Sequence, residues 1–154
     1  MQPSNTITLK RTNNNNPDFL SLIKLLDADL ALRDGDLSPI YFKYNQLQHL
    51  DTIVLAYIGN APVGCGCFKA FDGSSVELKR MFVKPGERGK GIATIILKEL
   101  ETWAADQGYA NAVLETGLKN PEAVALYQKQ GYTIINNYGP YINMPSSICF
   151  SKSL

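Results

Sequence analysis

Apolar side chains recur along this 154-residue chain at two different spacings, and each spacing predicts a different kind of element. Recurrence every three to four residues predicts helices, whereas alternation and short β-branched runs predict strands. The predicted helices cover residues 17–33, 38–50, 91–107 and 121–130. The predicted strands cover residues 6–11, 51–58, 62–71, 74–83, 110–116, 132–135 and 147–152.

The turns between the middle strands indicate how those strands pair. Gly59-Asn60 and Asp72-Gly73 separate three consecutive strand patterns, and both dipeptides favour tight hairpins. This antiparallel meander is followed by alternating helices and strands. The order predicts a mixed, mainly antiparallel α/β sheet flanked by helices, and the length favours one domain over residues 1–154.

The loop before the third predicted helix carries the strongest chemical signal in the chain. It contains Gly86, Gly89 and Gly91 beside the cations Arg88 and Lys90. The first N–H groups of a helix lack partners within the helix, and the helix dipole adds positive charge there. Glycines let a ligand approach the backbone closely. The stretch therefore predicts a cradle for a diphosphate.

The sequence of this loop distinguishes between three kinds of phosphate-binding motif. A nucleotide P-loop requires Lys-Ser or Lys-Thr after its last glycine, but Ile92-Ala93 follows Gly91. The dinucleotide fingerprint requires a third glycine where Thr94 stands. The pattern that is present is Arg88-x-x-Gly91-x-Ala93. It resembles the acyl-coenzyme A signature of the GNAT superfamily of N-acetyltransferases.

A second motif agrees with the first. Residues 120–132 spell N-x-x-A-x-x-L-Y-x-x-x-G-Y, with Asn120 as a helix N-cap and Pro121 in the first turn. This stretch also resembles the GNAT pattern, in the expected order along the chain. Because the element order β-α-α-β-β-β-α-β-α-β-β matches as well, the chain is identified over essentially its whole length as a member of this superfamily.

The resemblance implies a reaction and the residues that perform it. An amine attacks acetyl-CoA, the acyl donor, while Glu77 acts as general base directly or through water and Tyr127 protonates the leaving thiolate. The backbones of Met81 and Val83 would pair with the pantetheine arm. The residues implied to bind the donor are Met81, Phe82, Val83, Arg88, Gly89, Lys90, Gly91, Ile92, Ala93, Asn120 and Tyr127.

The strand that leads into the loop is unusually charged for a central strand. Strict alternation places Glu77 and Met81 on one face, and Leu78, Arg80 and Phe82 on the other. Two interpretations of its charges remain open. They form ion pairs at a solvated edge, or Glu77 is the catalytic base.

The acceptor amine is the least constrained part of the prediction. Candidate substrate residues are Arg33 and Asp34, in the 33–45 region, and Tyr138 and Tyr141 in a later aromatic loop. These tyrosines either line an amine site or close the end of the sheet over the core. A small molecule and a peptide are both open as acceptors.

Composition limits the remaining classes of function. A net charge of +1 gives no electrostatic case for nucleic acid or a membrane surface, and no apolar run approaches the roughly 20 residues of a membrane span. Cys65 and Cys67 favour small buried residues over a disulfide or a metal site. We expect a cytoplasmic protein, and the family resemblance adds a homodimer as an expectation. A non-catalytic CoA-binding domain and a nucleotide-binding regulatory domain are the alternatives.

Overall fold

A computed structural model of the protein describes residues 6–34 and 50–154. Its elements, numbered here in chain order, agree with the predicted bounds to within two residues. The predicted helix over residues 38–50 lies outside the described residues except for Leu50, which is not helical. The strands are β1 (Ile7–Thr12), β2 (Ile53–Ile58), β3 (Ala61–Ala70), β4 (Ser75–Val83), β5 (Asn111–Gly117), β6 (Thr133–Ile135) and β7 (Ser147–Ser153). The helices are α1 (Pro17–Asp34), α2 (Ile92–Asp106) and α3 (Pro121–Lys129).

The described strands form one sheet in the order β1-β2-β3-β4-β5-β7-β6. Neighbouring strands are antiparallel throughout, except for the parallel pair β4 and β5. Helix α1 contacts β3 and β4, and α2 contacts β2, β3 and β4. The predicted mixed, mainly antiparallel α/β sheet is therefore confirmed.

The parallel pair of strands separates soon after it forms. Residues 75–77 of β4 pair with residues 111–113 of β5, and the ladder between the two strands ends there. Strand β4 continues to Val83 and β5 to Gly117. The two strands thus diverge within the sheet and leave an opening between their carboxyl ends.

A bulge in β4 changes which side chains share a face. Cys65 pairs with Phe82 and Cys67 with Lys79, so one residue of β3 faces two residues of β4. The bulge contains Arg80, whose φ of +59° lies in the left-handed region that side chains other than glycine rarely adopt.

The predicted faces of β4 are therefore wrong beyond the bulge. Leu78 and Met81 both pack into the core beneath α2, on the face opposite Glu77. Phe82 belongs to the core beneath α1, where Arg80 also pairs with Asp27. The extra residue shifts the alternation by one position. Glu77 and Met81 consequently lie on opposite faces of the sheet.

Each face of the sheet carries its own apolar core. The α1 core contains Phe19, Leu22, Leu26, Ile53, Leu55, Cys65, Cys67 and Phe82. The larger α2 core packs Ile96, Leu97 and Leu100 against β3 and β4. Cys65, Cys67 and Cys149 are all buried free thiols, so the prediction of small buried residues at Cys65 and Cys67 is confirmed.

Candidate active site

A cavity of about 390 Å³ occupies the opening between β4 and β5. Helix α1, the loop after β4 and the start of α2 contribute to its wall, as do the end of β5 and helix α3. Gly89 and Gly91 lie at its loop end, whereas Glu77 and Tyr141 also line it. One continuous cavity therefore joins the predicted diphosphate cradle to the predicted catalytic base.

The loop end of the cavity depends on backbone conformation. Gly89 and Gly91 have φ values of +84° and +79°, in the region that favours glycine. Gly91 is the N-cap of α2, and no side chain caps the helix. A Cβ added at either glycine would meet no atom within 4 Å. The first N–H groups of α2 thus begin an uncapped helix beside an open space, a geometry that suits an anion.

The two cations of this loop make different contacts. Arg88 Nε donates to the Val83 carbonyl at 2.9 Å, and its Nη2 lies 3.6 Å from Oδ2 of Asp29 on α1. Arg88 lines the cavity, whereas Lys90 does not and instead pairs with Glu87 at 2.5 Å. Of the two, only Arg88 is placed to contact a molecule in the cavity.

The remaining predicted donor-binding residues lie on several elements around the cavity. Those that line it are Met81, Phe82, Val83, Arg88, Gly89, Gly91, Ile92, Ala93, Asn120 and Tyr127. Asn120 accepts a hydrogen bond from the Ala123 N–H at 3.3 Å, so it is the N-cap of α3 as predicted.

Tyr127 is the buried residue of α3, with 5% of its surface exposed. Its ring makes an edge contact with Tyr132 at 5.7 Å between centroids and a tilted contact with Phe150 at 6.0 Å. The pKa of Tyr127 is raised, first because burial disfavours the phenolate and second because of the Glu115 carboxylate. The hydroxyl therefore remains protonated at neutral pH.

Glu77 lies within the sheet, and only 8% of its side chain is exposed. Its Oε2 accepts a hydrogen bond from the Tyr138 hydroxyl at 2.8 Å. Its Oε1 lies 3.7 Å from Lys69 Nζ and 3.9 Å from Lys79 Nζ. Ion pairing is thus present, as one interpretation of the sequence held, but on a central strand and not at a solvated edge.

Lys79 is a buried lysine that lines the same cavity as Glu77. Burial lowers the pKa of Lys79, and the Glu77 carboxylate opposes that effect. Glu115 on β5 acts on Lys79 in the same direction as Glu77. A cation and two carboxylates therefore lie close together where β4 and β5 diverge.

The aromatic loop between β6 and β7 is held by a residue that the sequence analysis did not single out. Asn137 Nδ2 donates to the carbonyls of Tyr141 at 3.0 Å, Met144 at 3.1 Å and Ser147 at 3.1 Å. Tyr141 is buried against Cys149 and lines the cavity. The sequence did contain a signal for this role: an asparagine directly before Tyr138-Gly-Pro, since asparagine side chains commonly organise turns.

The two predicted substrate residues on α1 cannot be placed relative to the cavity. Arg33 and Asp34 are the last residues of α1, and their side chains lie outside the described part of the structure. The described residues of α1 that line the cavity are Leu26, Asp29 and Leu30, which the sequence analysis did not select. Arg80, also missed, lines the cavity and pairs with Asp27 at 2.6 Å.

Comparison with known proteins identifies the family. The match to the acetyltransferase (GNAT) family spans residues 19–132. The chain belongs to this family. It is 33% identical to the IAA acetyltransferase of Azospirillum brasilense, over 96% of this chain and 98% of that protein. It is also 29% identical to the uncharacterized N-acetyltransferase YjgM of Escherichia coli, over 87% of this chain and 86% of that protein.

Solved structures show the same GNAT fold. A Klebsiella pneumoniae structure assigned as an acyl-CoA N-acyltransferase superposes with a TM-score of 0.77 at 30% identity, covering 97% of each chain. A GNAT acetyltransferase of Elizabethkingia anophelis with acetyl-CoA bound gives 0.69 at 22% identity, covering 98% of this chain and all of the other. The predictions of GNAT membership, of a GNAT-type N-acetyltransferase and of its fold are therefore confirmed.

Within residues 6–34 and 50–154, no helix is both long and apolar enough to cross a membrane. Over the same residues, no group of three or more His, Cys, Asp or Glu side chains is arranged to hold a metal ion.

Proposed function

We propose that this GNAT protein transfers the acetyl group of acetyl-CoA to a primary amine of a small molecule or peptide. The observation that carries the proposal is the single cavity that connects the uncapped start of α2 with Glu77 and Tyr127. A site for a diphosphate-bearing donor, a buried base and a protonated phenol thereby share one space.

The residues of the cavity fit the donor at both its polar end and its arm. The N–H groups that begin α2, together with Arg88, would hold the diphosphate. Beyond Glu77, the edge of β4 that faces β5 has diverged from its neighbour. An extended pantetheine arm would pair with Met81 and Val83 there, as an added strand does. Two structural neighbours, from E. anophelis and Bacillus anthracis, contain acetyl-CoA.

The donor supplies a thioester carbonyl, and the protein must remove a proton from the acceptor so that its amine can attack. An alkylamine has a pKa near 10, so at neutral pH it is about a thousandfold more abundant as the unreactive ammonium. Glu77 accepts one proton from this ammonium and exposes the nitrogen lone pair. The hydrogen bond from Tyr138 and the nearby ammonium groups of Lys69 and Lys79 hold this carboxylate in place.

The remaining proton transfers balance the reaction. The amine nitrogen bonds to the carbonyl carbon, the carbon–sulfur bond breaks, and the Tyr127 hydroxyl protonates the departing thiolate. The second surplus proton on nitrogen returns to Tyr127 through water, and Glu77 releases its proton to solvent. The ammonium thus becomes an amide, the donor leaves as the thiol, and one proton is released.

Calorimetry followed by a turnover assay tests this proposal. We expect acetyl-CoA to bind, ATP and NAD to bind far more weakly, and acetyl-pantetheine, which lacks the diphosphate, to show reduced affinity. An Arg88→Gln variant should lose affinity for acetyl-CoA but not for acetyl-pantetheine. A panel of primary amines then identifies the acceptor by release of free thiol.

Each alternative function has its own outcome in the same experiment. Acetyl-CoA binding without thiol release across the panel would favour a non-catalytic CoA-binding domain. Tighter binding of ATP or NAD than of acetyl-CoA would favour a nucleotide-binding regulatory domain and contradict the proposal.

A further inference from the structure

We propose that Tyr138 is a positioning residue for the general base, and that it acts through Glu77 instead of lining the acceptor site. Its hydroxyl donates to Oε2 of Glu77 at 2.8 Å, across 61 residues of sequence. Oε1 is then the oxygen that receives the proton of the acceptor amine. This inference rests on the function proposed above, in which Glu77 is the base.

The ring of Tyr138 is confined by two other aromatic rings. Its centroid lies 4.8 Å from that of Phe71, with the planes at 67°, and 5.8 Å from that of Tyr141, with the planes at 85°. Both are edge arrangements, which aromatic pairs favour. The two contacts restrict rotation of the ring and thereby direct its hydroxyl toward Glu77.

The backbone that carries Tyr138 is equally constrained. Its carbonyl accepts a hydrogen bond from the Tyr141 N–H at 2.9 Å. The preceding residue, Asn137, donates to two carbonyls of the same loop and to the carbonyl of Ser147 at the start of β7. The position of the hydroxyl is therefore set before any acceptor binds, which is the preorganisation that a catalytic carboxylate needs.

Charged and titratable groups approach Glu77 from several elements. Lys69 on β3 and Lys79 on β4 lie 3.7 and 3.9 Å from Oε1, beyond hydrogen-bonding distance. Cys67 on β3 and Cys149 on β7 also experience its charge, and Glu115 on β5 acts on Lys79. Tyr138, in contrast, donates a hydrogen bond directly to the carboxylate.

Tyr138 keeps its proton over the pH range in which the enzyme would work. Burial raises the pKa of Tyr138, and the negative charge of Glu77 raises it further. The hydroxyl is therefore a donor at neutral and moderately alkaline pH. A donor stabilises the ionised form of the carboxylate it contacts, which is the form that accepts a proton.

A double-mutant cycle tests the inference. Tyr138→Phe keeps the ring and removes the donor. We expect kcat to fall by roughly tenfold to a hundredfold, the range of a lost hydrogen bond to a charged group. Acetyl-CoA affinity should be unchanged, and the acid side of the kcat/KM profile should move to higher pH. In a Glu77→Gln background, Tyr138→Phe should have no further effect on kcat, because its partner is already neutral.

Tyr57→Phe is the matched control, because Tyr57 also donates to a carboxylate, at 2.6 Å to Asp18, away from the cavity. It should leave kcat and the pH profile unchanged. Calorimetry with acetyl-CoA verifies that each variant is folded.

The outcomes separate this inference from the proposed function. If Glu77→Gln abolishes turnover and Tyr138→Phe leaves it unchanged, the inference is wrong and the base assignment stands. An equal loss from Tyr138→Phe in both backgrounds also overturns it, because Tyr138 would then act independently of Glu77. If Glu77→Gln itself retains full turnover, the base assignment fails, and the inference fails with it.

Discussion

At one end of the cavity, the candidate site consists of a single stretch of chain, residues 88–93. At the other end, Glu77 on β4 meets Lys69 from β3 and Tyr138 from the loop after β6. The first end offers mainly backbone N–H groups, and its shape depends on the φ angles of two glycines. The second offers side-chain atoms, placed by contacts between residues distant in sequence.

Because of this difference, we expect the two ends to respond differently to amino-acid substitutions. Backbone donors survive most side-chain changes nearby, provided that the backbone keeps its conformation. A proton-transfer site, in contrast, loses its function when one oxygen atom is removed. We therefore expect substitutions at the base end to change turnover, and substitutions at the loop end to change donor affinity.

The largest effect is expected at Tyr127. Tyr127→Phe keeps the ring contacts and removes the hydroxyl that we propose protonates the thiolate, so kcat should fall by roughly 10²- to 10⁴-fold. Acetyl-CoA affinity, measured by calorimetry, should not change. Tyr109→Phe is the control, because the Tyr109 ring makes a similar edge contact with Phe68 and does not line the cavity. Undiminished turnover would exclude Tyr127 from the mechanism.

Glu77→Gln should produce the next largest effect. The amide has nearly the same shape but is not a base, so kcat should fall by roughly 10²-fold and the rise in rate with pH should shift or disappear. Lys79 would lose one nearby carboxylate, so thermal unfolding must be measured alongside. Glu99→Gln, which removes a carboxylate from a more exposed pair with Arg11, is the control. An unaltered pH profile would place the base elsewhere.

A smaller effect, on affinity alone, is expected at Gly91. In Gly91→Ala the new Cβ meets no atom within 4 Å, so its cost is the strain of a left-handed backbone, roughly 1–2 kcal/mol. The helix start shifts to relieve that strain, and acetyl-CoA should bind several-fold more weakly with kcat unchanged at saturation. Gly59→Ala imposes similar strain at φ +59° in a hairpin, so it should lower stability without changing affinity. Equal affinities for both variants would contradict the cradle.

The last prediction is that kcat does not decline as the pH becomes moderately alkaline. In the proposed mechanism Tyr127 donates a proton, and it can do so until the pH rises above its pKa. Because burial and Glu115 raise that pKa above the ordinary value of 10, the donor form persists throughout the working range. At saturating acceptor, kcat should therefore not decline below about pH 10. A decline centred well below that value would indicate a different proton donor.

Features that depend on residues close together in the chain could be predicted from the sequence. The helix and strand bounds follow from side-chain periodicity, and the Gly91 and Asn120 helix starts follow from residues adjacent in the chain. The predicted faces of β4 were wrong, because strict alternation contains no information about a bulge. The role of Asn137 was not predicted, because its three acceptors become neighbours only in the folded chain.

The order of the elements, the two GNAT motifs and the glycine start of α2 were determined by the sequence itself, because each depends on residues within a few positions of one another. The tertiary structure alone decided that β4 and β5 diverge after Glu77, that Arg80 shifts the alternation, and that Tyr138 reaches Glu77. Those features arise from packing between segments far apart in the chain. The distance between such segments is fixed by the whole fold and not by any local pattern.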